Sequence, residues 1–381
     1  MSRVSRARLT VLVVFATNGV VFGNWAVRIP AVKAALGLSN ASLGAALLVP
    51  AVGALISMPL VGALSAHRGS RVATSITGLA FLLIPGLLGV APSLPWLAPV
   101  LLLFGFAFGG LDVAMNAQAV IVERAIGRPV MSSFHAAFSG GALVGSLTGA
   151  LAATAGLSVA VHLAVVGLVL LLICLPLVPW MLREPASEET RGPLFAWPRG
   201  RLLPLAAIAL VVLMAEGAVA DWSAVHLRQD LGAAAGTAGL AFTGFSLTMV
   251  LGRLIGDRVV AAWGRVATVR ASALVAMAGG IVVVVAPSIP VVVLGFAAMG
   301  IGLACTVPLV FAAAAGNDRE PGPALAAVST PGYVGFLIGP PAIGGTAQLI
   351  GLGPALALLP VLLACVAALA GRTAPAEMIS T

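Results

Sequence analysis

Long apolar runs alternate along the chain with short polar breaks. Twelve such runs can be drawn: 9–29, 43–66, 72–91, 96–122, 130–155 and 158–182, then 202–226, 238–255, 266–286, 290–315, 324–350 and 352–371. An apolar stretch of ~20 residues has the length of an α-helix that crosses a bilayer core. The pattern therefore predicts an all-α membrane protein with twelve transmembrane helices. One long polar stretch, 183–201, separates the sixth run from the seventh. It holds Glu184, Glu188, Glu189, Arg191 and Arg199 together with three prolines, Pro185, Pro193 and Pro198. It reads as a cytoplasmic linker between an N-terminal six-helix half, 1–182, and a C-terminal six-helix half, 202–381.

The two halves resemble one another. Trp25, near the end of the first run, is followed 44 residues later by Gly69; Trp222, near the end of the seventh, is followed 42 residues later by Gly264. Leu36-Gly37 and Leu231-Gly232 open the loops in between. A parallel, pseudo-symmetric six-plus-six repeat is a common way to build a carrier, with the solute near the midplane and access alternating by rocking. Gly141, Gly145 and Gly149 at spacing four, and Gly335, Gly339, Gly344 and Gly345, predict faces where helices approach closely.

Composition narrows the reading. Of 381 residues 60% are hydrophobic and 8% charged, against about 25% charged in an ordinary soluble domain. The mean hydropathy is +1.13. The net charge of +8 is spread over short loops, and with no basic domain a nucleic-acid partner is excluded. With both termini inside, Arg3, Arg6, Arg8, Arg68, Arg71, Arg124, Arg128, Arg183, Arg191, Arg199, Arg201, Arg253, Arg258, Arg265, Arg270, Arg319 and Arg372 fall on the inner side. That is 17 of the 20 basic residues, leaving Arg28, Lys33 and Arg228 outside. This bias predicts cytoplasmic termini in a cell membrane. The first run follows Arg3, Arg6 and Arg8 as a signal peptide would, but it is ~20 residues long and lacks a small-x-small cleavage site, so it reads as an uncleaved helix. Cys174, Cys305 and Cys365 lie far apart in apolar runs and predict neither a metal site nor a disulfide framework. No cofactor is expected, and the pathway of such a fold forms within a monomer.

Polar residues inside apolar runs are costly and stand out as functional candidates. Asp112 lies ten residues before the inner end of the fourth run, ~15 Å along a helix. Glu216 lies fourteen residues into the seventh, ~21 Å from the inside. Asp221 is five residues further on. Asp112, Asn116 and Glu123 share one helix face, Gln118 lies on another, and no arginine or lysine is expected deep in a span. A carboxyl that has lost its water favours the uncharged form, so these acids are candidates to load and release a proton; the structural alternative is a carboxyl satisfied by neighbouring amides and hydroxyls. Asn18 and Trp25 share one face of the first helix, and Asn24 and Arg28 another. His135, early in the fifth run, comes level with about Gln118 if the fourth and fifth helices are antiparallel. It is a candidate substrate contact, proton partner or packing residue. With Asp221, Trp222, His226 and Tyr333 (after Ser329 and Thr330), these residues are expected to line one central cavity. Trp25 and Trp222 read either as ligand-stacking residues or as interfacial anchors; Trp96, Trp180 and Trp263, at span ends, read as anchors.

The loop after the second run reads Gly62-Ala-Leu-Ser-Ala66-His67-Arg68-Gly69-Ser-Arg71. It resembles the signature loop of the major facilitator superfamily, with Ala66 where that family has an acid and His67 where it has a basic residue. The cognate stretch holds Gly252-Arg253, Asp257-Arg258 and Gly264-Arg265, where Arg253 and Asp257 are spaced for an inner gate. Gly62, Arg68, Gly69, Arg71, Arg253, Asp257 and Arg258 are thus the gating candidates. Gly109-Gly110-Leu111-Asp112-Val-Ala-Met-Asn116 is similar to a segment of the fucose–proton symporter branch. The likeness implies a sugar- and proton-binding role for Asp112 and Asn116. That branch's acid in the first helix has no counterpart here, where Asn18 and Asn24 stand, and Glu216 becomes a candidate for its proton role.

The resemblance implies a secondary active, proton-coupled transporter of a small polar solute, with sugar-like solutes among the candidates, importing or exporting. A drug or metabolite exporter of the same fold is the alternative, mildly disfavoured by 6% aromatic content; Gly339-Pro340 is its one weak motif. A membrane-embedded sensor or enzyme is the third class. The sequence has no HExxH, no phosphate-binding loop and no paired catalytic cluster, so an enzyme is not expected.

Overall fold

The computed structural model describes residues 2–128, 130–183, 197–316 and 322–374. Most of the expected linker, with Glu184, Glu188, Glu189 and Arg191, lies outside the described residues, as does Arg319. Among the described residues there is no strand. The first helices are α1 (Arg3–Ala35), α2 (Asn40–Arg68), α3 (Ser70–Leu83), α4 (Pro85–Leu88), α5 (Leu94–Ile126), α6 (Met131–Thr154) and α7 (Val159–Cys174), which ends in a 3-10 turn, Leu175–Trp180. Then come α8 (Leu202–Gln229), α9 (Ala235–Ala238), α10 (Leu240–Val285), α11 (Ile289–Leu303), α12 (Thr306–Ala315), α13 (Gly322–Ile350), α14 (Leu352–Ala355) and α15 (Leu358–Leu369). Among the described residues, ten segments are long and apolar enough to cross a membrane, by length and composition. One of them, Ala235–Val285, runs to 51 residues, more than twice the ~20 that a bilayer core needs. Inside it Gly264 leaves the helical conformation, with φ 74° and ψ 165°, so α10 is two helices joined at a kink.

That kink corrects two expectations. The apolar pattern ends a span at residue 255, but the helix continues to Gly264. Arg253, Asp257 and Arg258 are therefore helical rather than part of a loop. Arg253 stands 11 residues before the kink, ~16 Å along the axis. It is an arginine well inside a helix, where none was expected. Arg28 is 4% exposed within α1.

By their packing the helices form two compact units: Met1–Leu38 with Ala46–Thr190 and Ala234–Gly239, and Ser39–Ala45 with Arg191–Ala233 and Leu240–Thr381. In the first, α1 and α6 meet backbone to backbone. A Cβ on Gly19 would collide with the carbonyl of Phe138, on Gly23 with that of Ala142, on Gly141 with that of Ala16, and on Gly145 with that of Val20. The second unit uses the same device: Gly335 of α13 faces the Leu210 carbonyl of α8, and Gly279 of α10 faces the Gly295 carbonyl of α11. In lipid there is little hydrophobic drive between helices, so close approach and dispersion hold them. The largest fully buried side chains include Phe15, Phe81, Phe134, Trp222 and Phe296. Large apolar side chains such as Leu151, Val285 and Leu349 are exposed, an arrangement that suits a lipid solvent.

Two glycines share an unusual backbone conformation. Gly69, N-cap of α3, has φ 83° and ψ 148°; Gly264 has φ 74° and ψ 165°. Both lie in a region nearly closed to residues with a Cβ.

Candidate functional site

In the first unit the site residues sit on α5 and α1. The glycines before Asp112 serve packing. A Cβ on Gly105 would strike Pro50 of α2, one on Gly109 would strike Ala54, and one on Gly110 would press on Val61 and Thr77. This seats α5 against α2 and α3 and fixes its other side. Phe108, Asp112 and Asn116 follow at i, i+4 and i+8 along one face. Asp112 and Asn116 are half-buried. The Asn116 amide donates to the Asp112 backbone carbonyl at 2.9 Å and to its Oδ1 at 3.2 Å. Phe108 stacks on Phe22 of α1 at 5.7 Å, and Phe22 lies 6.2 Å from Phe138 of α6.

The two faces of α1 meet different partners. Asn18, fully buried, donates to the Met115 sulfur at 3.5 Å, and Trp25, 5% exposed, packs 6.0 Å from Phe104; both partners belong to α5. Asn24 donates to the Val20 carbonyl at 2.8 Å and accepts from Thr148 of α6 at 3.2 Å. Arg28 donates to the Leu157 carbonyl. Two residues part from the arrangement drawn for them. The Glu123 carboxylate accepts from the backbone N–H of Val130 and Met131 at 2.7 and 2.8 Å, so it ties the α5–α6 turn instead of extending the Asp112 face. His135 sets its ring edge-on to Phe15 at 5.4 Å, whereas Gln118 turns to the Ser70 hydroxyl and the Leu182 carbonyl.

In the second unit α8 carries Glu216 and Asp221, both half-buried. Arg253 of α10 acts electrostatically on Glu216, which supplies a cation the sequence did not place there. Asp221 accepts no hydrogen bond and forms no ion pair with any described residue. Asn24-Trp25 and Asp221-Trp222 each set a polar residue before a tryptophan, 197 residues apart. The amide of the first is satisfied by a threonine, and the acid of the second is left open. Trp222 and Ser223 are fully buried, and His226 is 4% exposed. The Trp222 Nε1, Ser223 Oγ and His226 Nε2 atoms have no hydrogen-bond partner among the described residues. The other ring nitrogen of His226 meets Asp230 at 2.7 Å. Burial of both Trp25 and Trp222 removes interfacial anchoring as their role; Trp96 and Trp263 are 67% and 62% exposed. Tyr333 is half-buried on α13, one residue from Gly332, which packs on Leu213 of α8.

The gating candidates divide. Gly62 and Arg68 close α2, and Gly69 and Arg71 open α3. Neither Arg68 nor Arg71 forms an ion pair with a described residue, as expected where Ala66 replaces an acid. In the second unit Cys305, at the break between α11 and α12, donates to the Gly252 carbonyl at 3.4 Å. Arg253 and Asp257 both act on it electrostatically. Phe108, Ser223 and Asp230 were not among the candidates. Phe108 and Asp230 were readable from i, i+4 spacing to Asp112 and His226; Ser223 carries no such signal.

A family profile described as the Major Facilitator Superfamily matches residues 205–378. An uncharacterized MFS-type transporter of Yersinia pestis is 38% identical over 356 residues, 93% of this chain and 92% of that one. The membrane protein MosC of Rhizobium meliloti is 33% identical over 343 residues, 90% and 84% of the two chains. Among solved structures, a bacterial homolog of the human lysosomal transporter Spinster, in an inward-facing and occupied conformation, matches with a TM-score of 0.74 at 15% identity, covering 96% of this chain and 95% of that one. The nucleoside transporter NupG matches at 0.74 with 13% identity over 98% and 99%. At such identities these structures speak for the fold alone. The sequence likeness over nine-tenths of the chain goes further, and the protein belongs to the major facilitator superfamily of membrane transporters.

Proposed function

We propose that the chain is a proton-coupled secondary transporter of a small polar, sugar-like solute, working by alternating access. One observation carries the reading: Asp112 and Asp221 bring carboxyls into membrane-spanning helices, and neither forms an ion pair with a described residue. A charge held there is costly, and a carboxyl that alternates between neutral and charged as water reaches it can couple solute to protons. In the first unit Asn116 and Asn18 carry amides that suit hydroxyls; in the second, Trp222 carries an indole N–H. Phe22 and Phe108 supply a flat apolar wall beside Asp112. Under this reading the chain crosses the cell membrane twelve times, with the kink at Gly264 and the 29-residue α13 supporting the count. Both termini are cytoplasmic, following the basic residues, and one copy suffices for transport.

The aromatic contacts of Phe22 with Phe108 and Phe138 favour a second reading, an exporter of flatter, less polar metabolites. Proton movement in proteoliposomes separates the two. Wild type is compared with Asp112→Asn, Asp221→Asn and Glu216→Gln against sugars, polyols and hydrophobic cations. Alkalinisation or acidification driven by a sugar-like solute and lost in Asp112→Asn supports the first reading. Flux of hydrophobic cations supports the second. Solute transport that persists in all three variants makes the acids structural.

A further inference from the structure

Between α1, α3 and α7, within the first unit, lies a cavity of about 200 Å³ whose walls are mostly apolar. Two of its wall residues, Leu79 and Leu175, are 46% and 60% exposed, so it opens sideways to whatever surrounds the helices. In a bilayer that is an acyl chain.

Two arginines stand near one end of the cavity. Thr10 and Ser75 line it. Thr10 donates to the Arg6 carbonyl at 3.0 Å, and Ser75 to the Arg71 carbonyl at 2.8 Å. Each bond spans one helical turn, so Arg6 and Arg71 stand one turn beyond the wall, on α1 and α3. The Arg6 guanidinium lies 5.9 Å over the Trp180 ring, between the wall residues Val178 and Met181. No acid occupies the first turn of α1 or α3, and neither arginine forms an ion pair with a described residue. A third observation points to a ligand. Thr74 lines the cavity at 3% exposure, and its hydroxyl has no hydrogen-bond partner among the described residues.

We infer that this cavity binds an anionic phospholipid from the leaflet on the side of the N-terminus. The acyl chain fills the apolar cavity, an ester carbonyl accepts from Thr74, and the phosphate lies against Arg6 and Arg71. An amphiphile matches the site because the apolar and basic parts adjoin; a free anion would leave the cavity unfilled, and a neutral lipid would leave the arginines unmatched.

The test titrates the full chain, purified in mild detergent, with phosphatidylglycerol or phosphatidylcholine of identical chains, read by mass spectrometry of the intact complex. Phosphatidylglycerol binds more tightly, by about fivefold for each arginine, and the preference falls with added salt. Arg6→Gln and Arg71→Gln each remove about that factor. Gly78→Leu fills the cavity and removes binding of both lipids; a Cβ on Gly78 meets only the Leu111 Cδ1 at 3.7 Å, so the helices need not part. Equal binding of the two lipids overturns the proposal, as does wild-type phosphatidylglycerol binding in a folded Gly78→Leu or its displacement by inorganic phosphate alone. If Gly78→Leu does not fold, the arginine variants at the helix ends decide: an unchanged lipid preference in both refutes the site.

Discussion

A carboxyl inside a membrane-spanning helix must be neutral, paired or reachable by water. The three acids here differ in how they meet that demand. Asp112 accepts from Asn116 of its own helix, Glu216 has Arg253 acting on it, and Asp221 has no partner among the described residues. Asp112→Asn and Asp221→Asn are expected to keep the fold and lose the coupling between proton and solute, typically about 5–150-fold; solute-driven pH change in proteoliposomes, beside binding measured directly, reads the loss. Arg253→Ala, by contrast, leaves Glu216 without its cation and is expected to lower thermal stability in detergent, whereas Glu216→Gln combined with Arg253→Ala recovers part of it. Trp222 offers another check. Its buried indole N–H has no partner among the described residues, so Trp222→Phe gives up no hydrogen bond within the protein and should cost about 1–3 kcal/mol of stability from the smaller ring alone. If the solute takes that N–H, apparent affinity falls about tenfold, near the worth of one hydrogen bond.

At the scale of elements, glycine does two distinct jobs. On α1, α5 and α6 it removes a Cβ that would collide with a neighbouring backbone. At Gly69 and Gly264 it supplies a conformation that other residues resist. Gly69→Ala and Gly264→Ala each should cost about 1–3 kcal/mol, seen as a lower melting temperature, while Gly127→Ala, at a more ordinary left-handed turn (φ 74°, ψ 18°), should cost less. Glu123 marks another element boundary. Its two backbone hydrogen bonds hold the turn into α6, and Glu123→Gln, which keeps the shape and removes the charge, should lose roughly 1–2 kcal/mol of the charge-assisted share. Full stability in that variant would mean the turn is held by its neighbours.

At the scale of the whole molecule, topology is the open proposal. Single cysteines placed in a cysteine-free background test it in intact cells. Ser39→Cys should react with a membrane-impermeant maleimide from outside. His67→Cys should react only after the membrane is opened. Labelling of both from the same side would refute the odd-even alternation behind the twelve-crossing arrangement.

The apolar runs were enough to read a multi-span helical membrane protein, because lipid imposes length and composition on every crossing segment. Packing decided what pattern could not. The run ending at residue 255 breaks where charges begin, yet the helix continues through Arg253 and Asp257 because Gly264, nine residues later, is where the backbone turns. Helical spacing put Glu123 on the Asp112 face, but the bare N–H groups at the start of α6 claimed it. Trp25 and Trp222 were equally good anchors in sequence; only burial against neighbouring helices assigns them to the interior. Sequence alone determined the class of solvent and the places where polar groups enter it. Tertiary structure decided which of those groups are already satisfied, since that depends on neighbours brought near by folding, and left Asp221 and the Trp222 indole without a hydrogen-bond partner among the described residues.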